Sequence, residues 1–122
     1  MENNFIQKWN ESEFIDGVYI PNNIKECFLE LDNLLDKDTI KVIKEYENPF
    51  RCSINLHMGL GTYIRNKWGL WAMSRLQKYL RERSCFNADD MSDRILSLYW
   101  EWLNGINDNW EKFDSTVTFK YE

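Results

Sequence analysis

Between Met91 and Leu103 the chain carries two apolar stripes instead of one. Met91, Ile95, Leu98 and Trp102 recur at helical spacing, and so do Leu96, Trp100 and Leu103. At 100° per residue the two sets point to different sides of one helix. Such a helix is either packed on two sides or shows aromatic surface to a partner, and burial at the centre of a helical bundle is the simpler solution. Its ends are marked: Asn87, Asp89 or Asp90 can cap the start, and Asn104-Gly105 stops it in a left-handed turn. This pattern predicts a mainly α fold with the remaining helices arranged around one central element.

The rest of the sequence supplies those helices. Asn23 with Glu26 three residues on resembles a capping box, and Ile24, Cys27, Phe28, Leu31, Leu34 and Leu35 follow at helical spacing, predicting a helix over about 23–35. Its opposite face, with Lys25, Glu26, Glu30, Asp32 and Asn33, is acid-rich. Asp36 or Asp38 can cap a second helix bearing Ile40, Ile43 and Tyr46, ended by Asn48-Pro49, so that the two form a hairpin. A third helix runs from Phe50 through Ile54, Met58, Tyr63, Ile64 and Trp68. It is weakened by Gly59 and Gly61, since glycine costs ~1 kcal/mol against alanine inside a helix. Two glycines in such proximity imply close backbone packing or a helix break. Gly69 then redirects the chain into a fourth helix from about Ala72 to Arg83, with Leu76, Tyr79 and Leu80 on its inner side. The expectation is a compact bundle of about five helices. The tail, Ser115 to Tyr121, alternates with β-formers and is expected to pair near Val18 to Ile20, adding a short two-stranded β element from the chain ends.

At 122 residues, 43% hydrophobic and 16% aromatic, the chain has material for one core, and a single domain over 1–122 is expected. The start lacks a basic region followed by an apolar run, and no stretch approaches the ~20 apolar residues of a membrane span. A cytoplasmic protein without membrane association is expected. Cys27, Cys52 and Cys85 are odd in number and scattered, which argues for reduced thiols. His57 is the sole histidine, and with no Cys-x-x-Cys or His-x-x-x-His pair, neither a metal nor another cofactor is expected. Net charge is -5, yet unevenly spread: six bases against Glu82 alone over residues 65–83, between flanks rich in acids. Either the flanks fold over this basic island, or an acidic face is left to meet a basic partner.

Enzyme signatures are missing. Gly59-Leu60-Gly61 begins like a dinucleotide loop, but the third glycine is absent and no strand precedes it. Cys52 and His57, five apart, are badly placed on a helix to act as nucleophile and base, and a buried thiol with a satisfied histidine explains them. Asp89-Asp90 reads as helix capping in preference to acid–base chemistry. The densest constellation is Gly59 to Trp71 extended to Arg75. Arg65, Asn66, Trp68, Trp71 and Arg75 combine rings and donors as a ligand pocket does, whereas the structural reading has the tryptophans filling the core as an architectural hub. Overall acidity argues against nucleic acid as partner.

Four stretches carry a family resemblance: Pro21-x-x-Ile24-x-x-Cys27-Phe28-x-Glu30-Leu31-Asp32, then Gly59-Leu60-Gly61-x-x-Ile64-Arg65-Asn66-x-Trp68-Gly69-Leu70-Trp71, then Ser74-Arg75-Leu76-x-x-Tyr79, and Asp89-Asp90-Met91-Ser92-x-x-Ile95-Leu96. Over residues 20–104 the chain resembles a bacterial family of short, single-domain proteins of unknown function. It departs from that pattern at Asn87-Ala88, where a His-Pro pair is usual. The resemblance carries no established activity. It implies a likeness to immunity proteins that neutralise toxins passed between neighbouring bacteria, including those of contact-dependent growth inhibition.

The sequence therefore leads to a non-catalytic immunity protein that binds a cognate toxin one to one, the toxin being a basic nuclease whose substrate surface attracts carboxylates. Glu30, Asp32, Asp36 and Asp38 are the toxin-binding acids of this reading, because they crowd one helix end and the following turn. The alternative is a small-ligand or regulatory domain with its pocket around Arg65 to Trp71. An enzyme would need His57 in a cleft with a carboxylate or thiol in reach.

Overall fold

The computed structural model describes residues 8–121. Among them the chain forms an antiparallel hairpin, β1 (Phe14–Ile15) and β2 (Val18–Tyr19), followed by seven helices: α1 (Ile24–Leu34), α2 (Lys37–Lys44), α3 (Pro49–Leu56), α4 (Leu60–Lys67), α5 (Arg75–Arg81), α6 (Ala88–Leu103) and α7 (Asp108–Ser115). The architecture is a compact, mainly α-helical bundle.

Local chemistry starts most of these helices. The Asn23 side chain accepts from the Glu26 N–H at 2.9 Å, Asp36 from Thr39 at 2.7 Å, Asn48 from Arg51 at 2.8 Å and Asn87 from Asp90 at 2.8 Å. Each satisfies an amide that the first helical turn leaves unpaired. Pro49, which needs no such partner, occupies the first turn of α3.

The 16-residue helix α6 is the centre and contacts α1, α2, α3, α4 and α7. Met91, Ile95, Leu96 and Tyr99 are wholly buried on it, in one core with Ile24, Phe28 and Leu31 of α1, Ile64 of α4 and Leu76 and Leu80 of α5. Each such aliphatic side chain contributes ~1.5–3 kcal/mol when removed from water. Both apolar stripes are used. Trp102 stacks on Phe28 with ring centres 5.3 Å apart, while Trp100 on the other side donates its indole N–H to the Tyr46 carbonyl at 3.0 Å.

The third helix of the sequence reading is two helices. A turn over His57–Gly59 separates α3 from α4, and Gly61 brings them close. A Cβ at Gly61 would lie 3.0 Å from an Arg65 nitrogen and 3.2 Å from the Leu56 carbonyl. Both consequences expected of paired glycines, a break and a close approach, are realised. The next helix begins later than expected, at Arg75, because Gly69 (φ +69°) and Met73 (φ +58°) take the chain through turns before Ser74 caps α5. At Gly69 a Cβ would meet the Ser74 Cβ at 2.7 Å, so the turn is closed to larger residues.

The two-stranded element exists, but both strands come from the N-terminal end. Asp16 and Gly17 have positive φ and form the two-residue loop that joins them, an Asp-Gly pairing that matches strand twist. The tail does not pair with Val18 to Ile20. Residues 108–115 form α7 instead, and the following segment runs beside the end of α5, where the Thr118 N–H donates to the Glu82 carbonyl at 2.9 Å. The hairpin closes on its own two-residue loop.

Candidate functional site

The aromatic and basic block does not converge on one hollow. Trp68 is wholly buried beside Ile64 and Leu70, whereas Trp71 is 62% exposed and Asn66 lies in solvent. The core reading holds for Trp68 and fails for Trp71, because the Gly69 turn swings the chain outward between them. The two arginines diverge. Arg75 donates from Nε and Nη2 to the Ile20 carbonyl at 2.9 and 2.6 Å, tying the β hairpin to α5. Arg65, only 6% exposed, faces the opposite way, toward the junction of α3, α4 and α6.

At that junction Arg65 donates to Ser92 Oγ (2.8 Å), the His57 carbonyl (3.1 Å) and Thr62 Oγ1 (3.0 Å), with Asp89 Oδ1 3.5 Å from its Nε. A buried guanidinium at the carbonyl end of α3 is favourably placed against that helix's negative pole. His57 stands above it, with Nδ1 2.8 Å from Asp93 Oδ1 and Nε2 3.6 Å from Asp89 Oδ1. The two aspartates approach opposite nitrogens of the ring, so they cannot share one ion with the imidazole. Among the described residues no group of three or more histidine, cysteine or acidic side chains is arranged to hold a metal. His57 does have carboxylates in reach and is partly exposed, yet Cys52 turns away: its thiol is buried and directed at the Leu96 carbonyl at 3.7 Å. Burial pushes the Cys52 thiol up to about 12, far from a reactive thiolate. The arrangement works as a polar clasp between three helices.

The four acids nominated from sequence lie around the corner between α1 and α2 but not on one face: Glu30 and Asp32, two residues apart, point to different sides of α1, and Asp36 and Asp38 lie at the start of α2. Glu30 and Asp32 are partly exposed, and Asp36 and Asp38 are exposed. Two of them also have structural partners. Asp32 accepts a hydrogen bond from the Tyr99 hydroxyl, and Asp36 caps α2, where the Thr39 N–H holds its carboxyl below the ordinary value. Exposed on the same two helices are three apolar side chains, Leu29 (46%), Leu34 (48%) and Val42 (57%). Helical spacing puts Asp32 one turn from Leu29, and Asp38 one turn from Val42. Lys37, Lys41 and Lys44 share α2 with them.

A cleft of about 600 Å³ opens elsewhere, bounded by the start of α3, the outer side of α6, α7 and the tail. Phe50, Leu98 and Phe113 supply its apolar wall, and Arg83, Arg94 and Lys112 supply cations. Glu101 on the same wall is engaged by the Asn109 amide at 3.0 and 3.2 Å. Sequence reading missed this cleft because it took the tail for a strand. Trp110 and Phe113, one turn apart after Asn107-Asp108, were the available signal of α7.

No helix among the described residues is long and apolar enough to cross a membrane. No curated protein and no solved structure matches the chain. A family model does, over residues 20–103, the span that holds α1 to α6 with the glycine-rich turns and the Arg65 clasp. The chain belongs to the family described as Domain of unknown function (DUF6794).

Proposed function

We propose that this domain is a non-catalytic, immunity-type protein that acts in the cytoplasm by capturing a protein toxin one to one through the α1–α2 corner. The observation that carries the reading is the exposed apolar side chains of α1 and α2, each one turn from an acid: Leu29 from Asp32, Leu34 from Glu30 and Val42 from Asp38. Carboxylates speed the encounter with a basic surface, such as a nuclease presents to its substrate, and apolar anchors supply the holding energy. The resemblance of the Gly59–Trp71 block to a family with immunity-like members supports the same reading. That block is the scaffold, and the corner is the working surface.

The test takes its candidate toxin from the genes that flank this one. Co-expression should protect cells from that toxin, and the purified pair should co-elute as a one-to-one complex. Asp38→Lys and Leu29→Asp should each weaken capture while leaving the fold intact. A pair that neither co-elutes nor protects ends the proposal.

A further inference from the structure

The cleft between α3, α6 and α7 has a charge pattern that the acidic whole does not predict. Arg94 and Lys112 both line it, and among the described residues neither side chain forms a hydrogen bond or an ion pair. Arg83, a third cation on the wall, is partly committed: Nε donates to the Asp114 carbonyl at 2.8 Å and Nη1 to the Tyr79 carbonyl at 3.0 Å, while its guanidinium carbon lies 3.7 Å from the centre of the Tyr79 ring. Those contacts fix its plane at the cleft's edge. Facing charges are few. Glu101 is held by Asn109, and Asp90 and Asp93 line a smaller hollow beyond Arg94.

The cations and the apolar side chains share the lining. Phe113 lies beneath Arg94, whose guanidinium carbon is 5.5 Å from the ring centre, and Phe50, 66% exposed, stands at the mouth on the first turn of α3. A concave site of this volume, with aromatic rings beside guanidinium and ammonium groups that have no carboxylate partner among the described residues, combines the two kinds of contact a small-molecule pocket uses. Arginine matches the planar fork of an oxyanion, lysine adds a point charge, and rings accept a planar body by stacking.

We propose that this cleft binds a small organic oxyanion carrying a planar ring, of the nucleoside monophosphate or aryl carboxylate type. Arg94 and Lys112 hold the anionic group, Phe50 holds the ring, and Phe113 backs the Arg94 guanidinium. The site is separate from the α1–α2 corner and stands or falls independently of toxin capture.

Isothermal titration of the purified protein with adenosine 5′-monophosphate, 4-hydroxybenzoate, adenosine and inorganic phosphate tests the assignment. Saturable one-to-one binding of the monophosphate or the carboxylate is expected, with adenosine and inorganic phosphate, each half a ligand, much weaker. Arg94→Gln and Lys112→Gln should each weaken binding about tenfold, because a charge-assisted contact is lost. Phe50→Ala should weaken the ringed ligands and leave inorganic phosphate unchanged. Lys41→Gln, an exposed cation on α2, should change nothing. All four substituted side chains are exposed, so circular dichroism should show folded variants. Absence of saturable binding by both ringed anions at millimolar concentration overturns the proposal. So does binding that survives Arg94→Gln and Lys112→Gln unchanged, or inorganic phosphate binding as tightly as the monophosphate.

Discussion

The Tyr99 hydroxyl on α6 donates a 2.8 Å hydrogen bond to Asp32 on α1, across 67 residues of sequence. It places one of the four corner acids in a structural role, and burial followed by the Asp32 hydrogen bond raises the Tyr99 hydroxyl well above its ordinary pKa. Tyr99→Phe should lower stability by about 1–2 kcal/mol, read as a fall in the urea midpoint. Asp38→Lys, which reverses a charge in the exposed first turn of α2, should cost no more than about 1 kcal/mol. Any effect of Asp38 on toxin capture then belongs to the interface.

Trp68 and Trp71 should behave as opposites although they sit three residues apart. Trp68→Ala removes a wholly buried ring and should cost about 3–5 kcal/mol. Trp71→Ala, at a 62% exposed position, should stay within about 0.5 kcal/mol. Thermal unfolding of the two variants measures the contrast.

The clasp at the α3–α4–α6 junction makes Gly61 intolerant of a side chain. An added methyl would lie 3.0 Å from the Arg65 nitrogen that holds Ser92 and 3.2 Å from the Leu56 backbone. Gly61→Ala should therefore lose about 1–3 kcal/mol, despite alanine's better helix propensity. Gly59→Ala, where a Cβ meets nothing within 4 Å, should be far milder in the same denaturation experiment.

Buried thiols predict a loss of stability in alkali. Burial lifts Cys52 from an ordinary 9.0 to about 12 and Cys85 to about 11. Below pH 9.0 folded and unfolded chains both keep these protons. Above it the unfolded chain ionises first, so stability falls with rising pH until the folded thiols ionise in turn. The urea midpoint should decline between pH 9 and 11, and less steeply in a Cys52→Ala, Cys85→Ala double variant. At pH 8 a thiol reagent should label Cys27, Cys52 and Cys85 only after denaturation, since all three are buried.

The central element was legible because its information is local. The spacing of Met91, Ile95, Leu98 and Trp102 beside Leu96, Trp100 and Leu103 needs only the pitch of a helix to reveal two buried sides, and Asn23, Asp36, Asn48 and Asn87 sit at the starts they cap. Gly59 and Gly61 announced either a break or a close approach, and tertiary packing used both. The alternation of Ser115 to Tyr121 misled, because β-formers make a strand only when an edge lies beside them, and this tail runs against the end of α5, where the Thr118 N–H donates to the Glu82 carbonyl. The short spacing of Trp68 and Trp71 could not tell which ring is buried, since the positive φ of Gly69 decides the direction of the chain between them.

The side-chain constellations were settled by the tertiary structure alone. His57 meets Asp93, Tyr99 meets Asp32, and Arg94 and Lys112 reach one cleft only after α6 has collected α1, α3 and α7 around it. Sequence by itself determined α1, α2 and the central α6, because turn chemistry and apolar period act over a few residues, but not α7 or the break between α3 and α4. Which charges are paired, which rings are exposed and where a cleft opens depend on contacts between distant segments, and those exist only in the packed chain.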